Sequence, residues 1–122
     1  MKRFFLLSAA AIVSAAVSAQ TVARMNDLKP EQKSMTVNLK LTGELSTERK
    51  GDYRQMRDLC FQVRTIDLGD AQSTEIPKNA FHSRHQLENI VLPKALKTIG
   101  TQAFFACDKL QAVTIPASVD TI

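Results

Sequence analysis

The sequence predicts a β-rich fold with short helices, in which parallel strands stack as a solenoid at a 23-residue period behind a degenerate N-terminal capping segment. Three observations predict it. Residue pairs return at a fixed step: Ala80-Phe81 as Ala103-Phe104, Leu92-Pro93 as Ile115-Pro116 and Ile99 as Ile122, each 23 positions on. Within one repeat, Leu87, Ile90 and Leu92 follow the spacing apolar-x-x-apolar-x-apolar, which sets alternate side chains of a short strand toward a core. One such unit buries too few side chains to offset the entropy of ordering its backbone, so each needs a neighbour to stack on.

Taken in order, the chain opens with a leader. Met1, Lys2 and Arg3 are followed by the apolar stretch Phe4 to Val17, and Val17-Ser18-Ala19 supplies small residues. That layout predicts a secretory signal peptide over residues 1–19, cleaved after Ala19. The apolar stretch is shorter than the ~20 residues a spanning helix requires, so no membrane span is expected in the mature chain. Loss of Lys2 and Arg3 lowers the net charge of +4 to +2. The remaining Lys and Arg alternate with Asp and Glu, and there is one Tyr and no Trp, which speaks against nucleic acid as a partner.

Residues 20–36, "QTVARMNDLKPEQKSM" and the Thr that follows, are polar without sustained period and predict a flexible N-terminal arm. Residues 37–60 predict the capping segment. There Val37, Leu39 and Leu41 alternate as in a half-buried strand, and Gly43 ends it. Asp52 is expected to N-cap a short helix whose inner face holds Tyr53, Met56, Leu59 and Cys60. Residues 61–122 hold the repeats. Val63, Ile66, Leu68 and Ile76 carry the rhythm one period earlier, with a step of 24 from Ile66 to Ile90 and the additional residue in the loop "GDAQSTE". The spacing of these strands is that of leucine-rich repeats. Leu96, Ile99, Ala103 and Phe104 are expected to form the wall opposite the strands. The last repeat stops at "SVDTI" without a capping segment, and the chain is expected to be a piece of a longer array.

Chemistry-bearing residues are few. Cys60 and Cys107 hold the same station two repeats apart, three positions before Val63 and Leu110. At ~4.8 Å per strand their Cα atoms would stand about 10 Å apart, beyond the ~7 Å limit of a disulfide, so both are expected as buried free thiols. His82 and His85 are spaced as two metal ligands could be, but no third ligand is near in sequence, and they read as solvated loop residues. No catalytic constellation or cofactor motif is present, and no enzyme activity is expected.

What remains is surface. Strand positions that alternate with the core form columns: Thr65, Asn89 and Ala112 in one, Asp67, Val91 and Thr114 in the next, with Arg64, Glu88 and Gln111 beside them. These six residues of the first two columns are the candidate interaction surface. Arg64 with Glu88, and Lys97 with Asp120, are expected to pair across repeats.

In this chain "LENIVLPKALKTIGTQAFFACDKLQAVTIPASVDTI" follows the pattern L-x-x-V-x-I-P-x-S-V-x-x-I-G-x-x-A-F-x-x-C, which resembles the BspA-like leucine-rich repeats of secreted and surface proteins of bacteria. The resemblance covers about Leu59 to Ile122, and departs from the pattern at Pro77, where the family has Gly, and at Arg84, where it has Cys. It implies a secreted or cell-surface module that adheres to protein partners on host or neighbouring cells, binding without chemistry and without a cofactor. Glycan binding is disfavoured because the columns are poor in aromatics. The alternative is an accessory repeat domain of a larger surface hydrolase whose catalytic domain lies beyond Ile122.

Overall fold

The computed structural model describes residues 19–111 and 113–120. Residues 1–18, which hold nearly all of the expected signal peptide, and Ala112 lie outside them. The elements run β1 (Ala19–Val22), a 3-10 turn (Met25–Asp27), α1 (Pro30–Met35), β2 (Asn38–Leu41), α2 (Asp52–Leu59), β3 (Thr65–Asp67), β4 (Glu75–Ile76), β5 (Asn89–Val91) and β6 (Thr98–Ile99). Strands β1, β2, β3 and β5 form one parallel sheet in that order, and β4 pairs with β6 in a second parallel sheet. The fold is β-rich, with few and short helices.

Parallel neighbours cannot be joined by a tight turn, so each strand is followed by a crossover that returns the chain to the same end of the sheet. Register then sorts the side chains. Leu39 lies opposite Ile66 and Ile66 opposite Ile90, all three buried, while their strand neighbours face outward. On the far wall Ile76 lies opposite Ile99, and Leu87, Leu96 and Ala103 are buried between the walls. Phe104 is half-buried, stacked on Phe81 at a centroid distance of 5.6 Å. The last repeat is less enclosed: Leu110, Val113 and Val119 are half-buried, and Ile115 is exposed.

Between the walls, main-chain bonds join one repeat to the next outside the strands. Phe81 N–H donates to Ala103 O at 2.8 Å and Ser83 N–H to Phe105 O at 2.8 Å. Asn79 and Gln102 adopt left-handed backbone, as do Ser83 and Ala106, so the same turn occurs in both repeats. Gly100 shows how closely the chains pass. Its N–H donates to Ile76 O at 2.7 Å, and a Cβ there would meet Lys78 N at 2.5 Å and Pro77 C at 2.7 Å. Both are backbone atoms that cannot rotate away. Gly100→Ala is therefore expected to cost about 2–3 kcal/mol by overpacking, read as a lower urea midpoint with an unchanged slope; a midpoint within error of the parent would refute the close approach.

Residues 20–36, expected as a flexible arm, are instead ordered into the cap. Val22 of β1 lies opposite Leu41, and Thr42 and Gly43 donate to Val22 O and Ala23 O at 3.0 and 2.9 Å. Met25 and Leu28 are buried. The entry to α1 is closed locally: Lys29 N–H donates to Gln32 Oε1 at 2.8 Å, and Pro30 occupies the first turn, where no N–H is required. Polar composition misled here because the order comes from distant partners rather than from a local period.

Asp52 is also corrected. The N-cap of α2 is Gly51, and Asp52 is the first helical residue. Its carboxylate is buried and accepts the Met25 N–H at 2.8 Å through Oδ1 and the Ser46 N–H at 2.8 Å through Oδ2. On the helix, Tyr53 and Met56 are buried with Cys60 beyond it, whereas Leu59, expected on that face, is 40% exposed. Eight residues complete little more than two turns, and Leu59 falls past the edge of the stripe that faces the core.

Candidate interaction surface

The outward face of the four-stranded sheet is a continuous surface whose columns are set by register. Ala19, Asn38, Thr65 and Asn89 stand in one column and Thr21, Lys40, Asp67 and Val91 in the next. The structure thus brings together Thr65, Asp67, Asn89 and Val91, four of the six candidate residues. Thr114 is exposed beyond β5, where it lines a shallow hollow of about 270 Å³ with Val91, Lys94 and Pro116. Asn38 and Lys40 belong to the same columns and were missed, because β2 and β3 pair 27 positions apart, at Asn38 opposite Thr65, rather than at the repeat step. Their signal was present in "NLKL", as the polar partners of Leu39 and Leu41.

Part of this face is tied to itself. Thr65 Oγ1 donates to Asn38 Oδ1 at 2.6 Å. Asp67 Oδ1 accepts the Gly69 N–H at 2.9 Å, which holds the turn after β3. Lys40 Nζ lies 2.9 Å from Asp70 Oδ2 and 4.0 Å from Asp67 Oδ2, with Lys94 Nζ 3.9 Å from the other Asp70 oxygen. The hydrogen bond and charge of Lys40 hold the Asp70 pKa below its ordinary value, and Asp70 raises that of Lys40 in return. Arg64 Nε and Glu88 Oε2 stand 4.0 Å apart. Lys97 and Asp120, expected as a charge pair, meet through the main chain instead, with Asp120 N–H donating to Lys97 O at 2.8 Å. Such exposed pairs add little to stability and chiefly oppose a slipped register. Asn89, Val91 and Thr114 carry no side-chain hydrogen bond or ion pair among the described residues, and Val91 is 53% exposed.

Cys60 and Cys107 are both free. Burial pushes Cys60 up to about 11 and raises Cys107 as well, so both are neutral thiols at physiological pH. Cys107, expected as buried, is half-buried in the less enclosed last repeat, with Sγ donating to Phe81 O at 3.1 Å. His82 stacks on Phe105 at 5.0 Å and shares a 2.7 Å hydrogen bond with Ser83 Oγ. His85 Nδ1 pairs across the repeat with Asp108 Oδ2 at 2.8 Å. Among the described residues no group of three His, Cys, Asp or Glu could hold a metal ion, and no helix is long and apolar enough to cross a membrane.

A parallel sheet of short strands, each returned by a crossover over an apolar interior, fits a leucine-rich repeat protein. The family model described as BspA type leucine-rich repeat region (6 copies) matches residues 54–122. The chain belongs to this family. Comparison with curated proteins finds no relative.

Proposed function

We propose that the chain is a secreted or cell-surface module that binds a protein partner through the outward face of its four-stranded sheet and performs no catalysis. The observation that carries this reading is the group Asn89, Val91 and Thr114, exposed beside Thr65 and Asp67 without partners of their own. A sheet of stacked repeats offers an extended surface, and repeats of this type serve adhesion and protein interaction. We further read the repeats as a solenoid of 23-residue period. The pairing of Glu75 with Thr98 supports that step, and the one-residue excess between Thr65 and Asn89 falls to the "GDAQSTE" loop. Export rests on the leader over residues 1–19; cleavage after Ala19 leaves Gln20–Val22 of β1 opposite Leu39–Leu41.

Joint replacement of Asp67, Asn89 and Thr114 by alanine tests the reading. Labelled chain is expected to bind the surface of intact cells and to lose that binding when the cells are treated with protease. The triple variant should melt within a few degrees of the parent and bind roughly tenfold or more weakly, since interface residues that count cost over about 1 kcal/mol each. Unchanged binding would remove this face from the mechanism.

A further inference from the structure

The cap carries a second recessed surface, away from the repeats. Between α1, the turn that precedes Gly51 and the outer side of α2 lies an open groove of about 680 Å³, within the range of about 300–1,000 Å³ typical of ligand sites. Its charge is one-sided. Lys33, Arg49, Lys50 and Arg54 line it against a single carboxylate, Asp58.

That carboxylate is already engaged. Asp58 accepts from Arg54 Nε at 2.9 Å and from Arg57 Nε at 2.8 Å. Burial opposes its charge, but the two guanidinium groups outweigh burial and hold its pKa below the ordinary value. Arg49 and Lys50 have no charged partner among the described residues. Lys33 is more telling, because it is only 9% exposed and its Nζ donates to a neutral acceptor, Gln55 Oε1, at 2.8 Å. An ammonium has three donors, and a nearly buried one without an anion is costly to hold. Cys60 lies close enough for Lys33 to pull its pKa down, yet burial dominates and keeps that thiol at about 11. The sulfur is neutral and supplies no countercharge. One apolar side chain joins the charged ones: Leu59 lines the groove and is 40% exposed.

We propose that this groove binds an acidic peptide segment of a protein partner, with carboxylates against Lys33, Arg49 and Lys50 and an apolar side chain on Leu59. A recessed ammonium is within reach of a side-chain carboxylate on an extended chain, whereas the flat headgroup layer of a bilayer meets only the rim. The exposed Leu59 beside these cations favours an amphipathic segment over a small inorganic anion. This site stands independently of the sheet face and gives the module a second point of contact.

The test uses the full chain and a short fluorescent peptide rich in glutamate with isolated leucines, with binding followed by anisotropy. The peptide is expected to bind, more weakly as salt rises, and to lose about tenfold or more in affinity in Arg49→Glu/Lys50→Glu. Lys33→Met should lose a similar factor while retaining the parent's circular dichroism and melting no lower than the parent. Charge reversal at Lys97 and Lys109, on the repeats, should leave the affinity unchanged. Equal affinity of the parent and the Arg49→Glu/Lys50→Glu variant would overturn the proposal. So would a parent that ignores the peptide, whether or not it binds phosphatidylglycerol vesicles through the same two residues.

Discussion

Phe81→Ala is expected to destabilise the chain by about 4 kcal/mol. Phe81 is fully buried and stands between two rings, edge-on to Tyr53 at 6.0 Å and stacked on Phe104 at 5.6 Å. Its removal leaves a cavity in the middle of the stack and ends both ring contacts, each worth about 0.5–1.5 kcal/mol beyond burial. Phe104 is half-buried, so Phe104→Ala should cost less than half as much. The measurement is urea denaturation of both variants. Equal losses would mean that Phe81 does not tie the cap to the repeats.

Tyr53 supplies an independent readout, being the sole Tyr in a chain without Trp. Burial raises its pKa to about 12, against a hydrogen bond to Ser73 Oγ at 2.8 Å that works the other way. A folded pKa above the unfolded value of about 10 means that the neutral phenol favours the fold. That contribution is fully present below pH 10 and is lost as pH rises toward about 12. In Phe81→Ala the phenol gains access to water, and its absorbance titration should move down toward 10.

The repeats were legible because their apolar positions face one interior and recur at a fixed step, so counting alone places Leu87, Ile90, Leu96, Ile99 and Ala103 inside, where they are buried. The cap was legible only in part. The alternation of Leu39 and Leu41 marks β2, but nothing local in "QTVARMNDL" announces that its N–H and C=O groups will be met by residues some 20 positions on or that Met25 will be buried. Burial there is decided by what lies across the gap, and tertiary partners override local composition. The surface divides the same way. Thr65, Asp67, Asn89 and Val91 follow from period-2 alternation, while the groove joins Lys33 to Arg49 and Lys50 through two helices whose packing no periodicity encodes.

Asp52 is where that non-local order concentrates. One buried carboxylate holds the main chain of the 3-10 turn at Met25 and of the loop at Ser46, two segments that otherwise have few regular bonds, to the start of α2. Its position in the first turn also places negative charge at the positive end of the helix. Arg24 Nε lies 3.5 Å from Oδ2 but is half exposed, so the ion pair adds little. Asp52→Ala leaves two main-chain donors in a dry or partly dry site without an acceptor, at about 1–3 kcal/mol each. The expected loss is therefore about 3–4 kcal/mol. Asp52→Asn keeps one acceptor and sets an amide NH2 against the other donor, so it should lose about half as much. Hydrogen exchange gives the local signature: in Asp52→Asn the Met25 and Ser46 amides should exchange faster while Ile66 and Ile90 keep their protection. Uniform acceleration across β3 and β5 would mean that the cap and the repeats unfold as one unit, and unchanged exchange at Met25 would mean that the carboxylate is not what holds the N-terminal segment in place.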